Sequence, residues 1–91
     1  MQALDAGVYQ ELANAIVLQA VTDYRNALNG RGYDRMSAKM AIKHLERFFR
    51  SYYFQLLTPV KGDFLIEELK KEHQEKVERS QNESNIDTGN A

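Results

Sequence analysis

The sequence predicts an all-α fold: a compact bundle of three main helices plus one short helix, followed by a disordered C-terminal tail. Three observations carry that expectation. Apolar residues recur at three- and four-residue spacing through most of the chain, the period of a helix with one buried face. The periodic runs are bounded by residues that start or stop helices: Asn29-Gly30, Ser37, Ser51 and the Pro59–Gly62 turn. Ninety-one residues, 43% apolar and 27% charged, make one small globular domain with a thin core.

The first helix is expected from about Asp5 to Leu28. At about 100° per residue, Tyr9, Ala13, Ile16, Val17, Ala20, Val21, Tyr24 and Leu28 share one broad arc, with Glu11, Asn14, Thr22 and Arg25 opposite. Asp5 can cap its start and Asn29-Gly30 stops it, leaving Arg31-Gly32-Tyr33 as a loop. The second helix begins at Asp34 or Ser37 and buries Ala38, Ala41, Ile42, Leu45, Phe48 and Phe49. On its adjacent face Lys39, Lys43, Arg47 and Arg50 fall within roughly 80° of one another. Ser51 ends this helix or caps a short third one, Tyr52 to Leu57, because an unbroken helix would carry Phe54 round to the basic, solvent side. Thr58 to Gly62 is a turn, in which proline presets φ and glycine tolerates positive φ. Asp63 then caps a last helix, about Phe64 to Arg79, with Leu65, Ile66, Leu69, His73 and Val77 inward and Glu67, Glu68, Glu75 and Glu78 outward. The single helical domain is therefore expected over residues 1–80. Residues 81–91 have no periodicity and form the tail.

Composition narrows the function. The chain has no cysteine, which removes disulfides, thiolate metal sites and a cysteine nucleophile. The opening MQALDAGVYQ lacks the basic and apolar regions of a secretory signal. Leu12 to Val21, the most apolar stretch, is about half the length of a membrane span. A cytoplasmic protein with no membrane partner is expected. The net charge of −1 hides a strong asymmetry: −3 over residues 1–24, +6 over 25–61 and −4 over 62–91.

No catalytic, cofactor-binding or metal-ligating residues are expected, and the protein is read as a non-enzyme. His44 and His73 are the only histidines, and no serine sits at a spacing that suggests an activated nucleophile. Gly30-Arg31-Gly32 is far from a phosphate-binding fingerprint. Asp63 and Glu67 read better as helix-start acids than as a metal pair, and His73 as a half-buried packing residue. What remains is a binding surface. The basic face, extended by Arg31 and Arg35, can meet phosphates or an acidic protein surface, or serve only as a solvated face. A helix-turn-helix reading fails because the helix after the Pro59 turn is rich in glutamate. Phe48, Phe49, Tyr52, Tyr53 and Phe54 place five rings in seven residues; most belong to the core, with Phe54 and one tyrosine left for exposure. The expected partner-binding set is thus Arg35, Lys39, Lys43, Arg47, Arg50 and Phe54. Leu12 and Leu18 flank or oppose the buried arc of the first helix, so a weak homodimer is also expected.

Leu45-Glu46-Arg47-Phe48-Phe49-Arg50-Ser51, followed by Phe54, Leu57-Thr58, Gly62-Asp63 and Leu65-Ile66, resembles small proteins of prophages and conjugative elements of Gram-positive bacteria. Their core pattern is E-R-F-F-R-S-x-x-F-x-x-L-T. The likeness in layout spans about residues 15–70 and is specific over 46–66; Tyr53 stands where many relatives carry tryptophan. The resemblance implies a mobile-element origin and assigns no activity. Short phage proteins without catalytic residues are often inhibitors or adaptors that dock on a larger host or defence protein, anti-CRISPR proteins among them. The leading expectation is accordingly an inhibitor-type helical binding protein with a protein partner. The alternatives are a nucleic-acid-binding regulator using the basic face, and a self-assembling structural protein.

Overall fold

A computed structural model describes residues 6–32 and 36–90, with side chains described over 7–32 and 36–80. Its four helices are α1 (Ala6–Leu28), α2 (Ala38–Phe49), α3 (Tyr52–Leu57) and α4 (Gly62–Asn90). The fold is all-α, with α3 as the short helix among three long ones. Asp5, Tyr33, Asp34 and Arg35 lie outside the described residues, so the expected Asp5 cap and the Arg35 contribution to the basic face do too.

Local chemistry explains each boundary. α1 stops in a paired-carbonyl cap: Arg31 N–H donates to Asn26 O at 2.9 Å and Gly30 N–H to Ala27 O at 3.0 Å. That geometry needs the positive φ of 89° that Gly30 adopts. α2 starts at Ser37, whose hydroxyl accepts from Met40 N–H at 3.2 Å. Ser51 makes the break between α2 and α3. Its hydroxyl donates to Phe48 O at 2.7 Å and accepts from Phe54 N–H at 3.1 Å, so one side chain serves the end of one helix and the start of the next. Gly62, expected to supply positive φ, has another purpose: a Cβ there would collide with the carbonyl of Phe49. The missing side chain lets the start of α4 press against the end of α2. Asp63 does not cap α4 as expected; it sits in the first turn, where Leu65 N–H bonds to Lys61 O at 3.0 Å. The helical path of α4 runs to Asn90, past the Arg79 end that the stripe suggested, although the last inward residue of that stripe is the half-buried Val77.

All four helices feed one core: Ala20, Val21 and Tyr24 from α1, Leu45 and Phe49 from α2, Phe54 from α3, Ile66 and Leu69 from α4. Phe49 is its hub, with ring centroids 5.5 Å from Tyr24 and 5.4 Å from Phe54, both edge-to-face. Phe54 is 0% exposed, which corrects the expectation that it reaches solvent. The turn of chain at Ser51 swings it off the basic side and into the core. Burying such a ring stabilises by roughly 2–3 kcal/mol, a large share of what a domain this small has.

The helices cross in a defined sense. Arg50 meets Asp63 while Glu46 meets Lys70, so α4 runs antiparallel to α2. Arg25 meets Glu72, and Leu28 and Asn29 share a cleft with Lys76 and Arg79, so α1 runs parallel to α4. The first half of α1 and the second half of α4 therefore extend from opposite ends of the bundle, along a long axis of 68 Å against 27 and 21 Å. This corrects the α1 arc. Residues from Val17 onward line the core, but Tyr9 is 62% exposed and Ile16 37%, because no described element lies over the first three turns.

Candidate interaction surfaces

The polar centre of the bundle is structural. Tyr24, buried among apolar side chains, donates its hydroxyl proton to Glu46 at 2.7 Å. Lys70 approaches the same carboxylate at 3.3 Å, and Arg50 approaches its other oxygen at 3.6 Å. Burial pushes the Tyr24 phenol far above its ordinary value, and the carboxylate that accepts from it adds to the shift. For Glu46, burial works to raise the carboxyl, but the Tyr24 hydroxyl and Lys70 outweigh it and hold the group below the usual carboxylate range. The strut joins α1, α2 and α4. Sequence reasoning missed it, although two signals were present: a tyrosine in an apolar arc needs a partner for its hydroxyl, and Glu46 is the lone acid on a basic helix.

Arg50 belongs to this strut. It donates to Asp63 at 2.7 Å, which raises its already high pKa, and it is thereby drawn away from the basic face. Its job is to tie the end of α2 to the first turn of α4. Lys39, Lys43 and Arg47 are different. All three are exposed and recur at every fourth residue of α2, and none has a carboxylate partner among the described residues. The structure thus brings three of the six expected partner-binding residues onto one open face, diverts Arg50, buries Phe54 and leaves Arg35 outside the described set.

Of the five clustered rings, Tyr52 and Tyr53 on α3 are exposed, with Tyr53 edge-on to Phe48 at 6.1 Å, and Phe64 in the first turn of α4 is exposed as well. A second apolar surface is on α1. Tyr9, Leu12 (53% exposed) and Ile16 form a stripe on its first half. The stripe leads into a shallow groove of about 420 Å3 between α1 and α2, walled by Ile16, Ala20, Leu45 and Phe48 with Gln19, Asp23 and His44 at the rim. His73, half-buried, lines the open cleft between the end of α1 and α4, as its place in the stripe implied. Among the described residues no group of three His, Asp or Glu side chains is placed to hold a metal ion, and no helix is long and apolar enough to cross a membrane. Compared with known proteins, the chain matches no family model, no curated protein and no solved structure.

Proposed function

We propose that this protein is a non-enzymatic binding module that docks the α2 face of Lys39, Lys43 and Arg47 onto an acidic surface of a protein partner. One observation carries the reading: three cationic side chains on one face of a helix clamped at both ends, none of them neutralised within the described chain. Preformed charge of this kind steers and orients a partner, and it meets little ordering cost on a helix already fixed by Ser37 and by the Arg50–Asp63 pair. A protein suits the patch better than a nucleic acid. The outward glutamates of α4 and the net −4 of residues 62–91 oppose a continuous phosphate backbone, whereas a protein surface can match a local patch. With the resemblance to mobile-element proteins, the partner is a host or defence protein, and occupying its surface makes this chain an inhibitor.

The rival reading, a nucleic-acid-binding regulator, uses the same face and is separated by salt. Three phosphate contacts predict a log–log slope near −2.7 on duplex DNA. The expected result is negligible binding to duplex at physiological salt, with capture of a discrete protein from host lysate that Lys43→Glu with Arg47→Glu abolishes. Sub-micromolar, steeply salt-dependent binding to plain duplex, lost in the same variant, overturns the proposal in favour of the regulator.

A further inference from the structure

We infer that the exposed half of α1 is a self-association element: two copies pair antiparallel along it, each laying its stripe into the α1–α2 groove of the other. This goes beyond the docking reading, since it uses a different face. The basic face points away from the core of α2, whereas the groove opens on the side of His44 and Phe48.

Four features select a second copy as the occupant. The first is spacing. Tyr9, Leu12, Ile16 and Gln19 follow a three–four–three step, the seam of a two-helix coil, and Asp23 continues it by four. The second is register. The stripe covers residues 9–16 and the groove wall on the same helix covers Ala15–Asp23; a two-fold axis near residue 14 sets residues 9–13 of each copy against residues 15–19 of the other, the near half of that wall. Leu12 of each copy then meets Ile16 of the other, and Tyr9 meets Gln19. The third is charge. The seam carries no lysine or arginine to desolvate, and Glu11 lies well round the helix from it. Its one acid, Asp23, accepts from Gln19 at 3.0 Å and stands where the hydroxyl of the other copy's Tyr9 can also reach it. The fourth is area. The exposed parts of Tyr9, Leu12 and Ile16 leave roughly 350 Å2 per copy in water, and covering them together with the groove walls removes on the order of 1,000 Å2 in all. That is the low end for a specific pair and fits an affinity on the order of tens of micromolar. The dimer would present two α2 basic faces at once, so a partner with repeated acidic sites would bind it more tightly than a monomer.

The test is sedimentation equilibrium on the full chain with cysteine pairing. The wild type should show a reversible dimer at tens to hundreds of micromolar. Leu12→Glu, at an exposed position, should keep the helical circular dichroism and weaken the dimer by about a hundredfold, since both copies bury the new charge. The chain has no native cysteine, so Leu12→Cys and Ile16→Cys report direction. Mixed under mild oxidation, the two variants should cross-link with each other about tenfold faster than either does with itself. Lys43→Glu with Arg47→Glu should leave the dimer unchanged, whatever becomes of partner docking. A strict monomer at about 500 μM, preferential self-cross-linking of Leu12→Cys, or loss of the dimer on reversing the basic face would each overturn the inference.

Discussion

The two halves of α1 have the same pattern and opposite fates. From Val17 onward the arc is covered by α2, α3 and α4, and Tyr24 and Ala27 are almost wholly buried. Before it, Tyr9, Leu12 and Ile16 continue the apolar run into open solvent. Helical propensity and apolar spacing do not separate the halves; length does. α1 has 23 residues and α2 has 12, so an antiparallel α2 of about 18 Å cannot cover an α1 of about 35 Å. Amphipathic periodicity states which face wants burial, and only the neighbouring elements decide whether it is buried.

The sharpest break of this contrast is Phe54→Ala. As a solvent-exposed anchor Phe54 could be truncated without loss of fold; as a core ring it cannot. The expected cost is about 3–5 kcal/mol, enough to unfold much of the population in a urea titration. Within α1 the contrast itself can be measured. Val21→Ala should destabilise the bundle by about 2 kcal/mol, whereas Leu12→Ala, assayed at low micromolar where the monomer dominates, should stay within about 0.5 kcal/mol. Equal effects would mean that the first half is covered after all.

The strut yields a smaller effect with a pH signature. Tyr24→Phe keeps the ring and removes the hydroxyl, and should cost about 1–2 kcal/mol, because Glu46 loses its closest donor but retains Lys70. The Glu46 carboxyl is held below its unfolded value, so its contribution is present above about pH 4.3 and is lost as pH falls through the lowered value. The Tyr24 phenol is raised, so its contribution is complete below about pH 10 and is lost as pH climbs further. Glu46→Gln should flatten the acid limb of a stability–pH curve and reduce the alkaline limb only in part, because burial, the larger cause of the Tyr24 shift, remains. The Arg25–Glu72 pair, half-exposed on both sides, should add little to either limb. The smallest expected effect is truncation at residue 80. With the last described inward residue at Val77, removing residues 81–91 should move the melting temperature by less than about 2 °C.

Much of the fold was legible because helix ends are local events. Asn29-Gly30, Ser37 and Ser51 act through their own backbone neighbours, and the structure uses each of them at the expected place. The bounds of α3 follow from the same logic, and with them the inward turn of Phe54, yet a wheel drawn through the break leaves that ring outside. What the sequence concealed was tertiary. The pairing of Tyr24 with Glu46 spans 22 residues, and that of Arg50 with Asp63 depends on how Gly62 brings two helix ends together. The basic face was only three-quarters right for that reason: a wheel reports that Arg50 points with its neighbours but says nothing of the acid waiting across the turn.

The corner at Ser51 bears on the order in which the chain folds. Phe48, Phe49, Tyr53 and Phe54 make four ring contacts within seven residues of chain. Closing so short a loop loses little chain entropy, whereas bringing Tyr24 onto Glu46 must first close a much longer one. The α2–Ser51–α3 corner is therefore the tertiary structure with the least chain entropy to lose; if it nucleates folding, with α1 and α4 condensing onto it, substitutions there should slow folding in a chevron analysis, whereas those at the α1 contacts should speed unfolding.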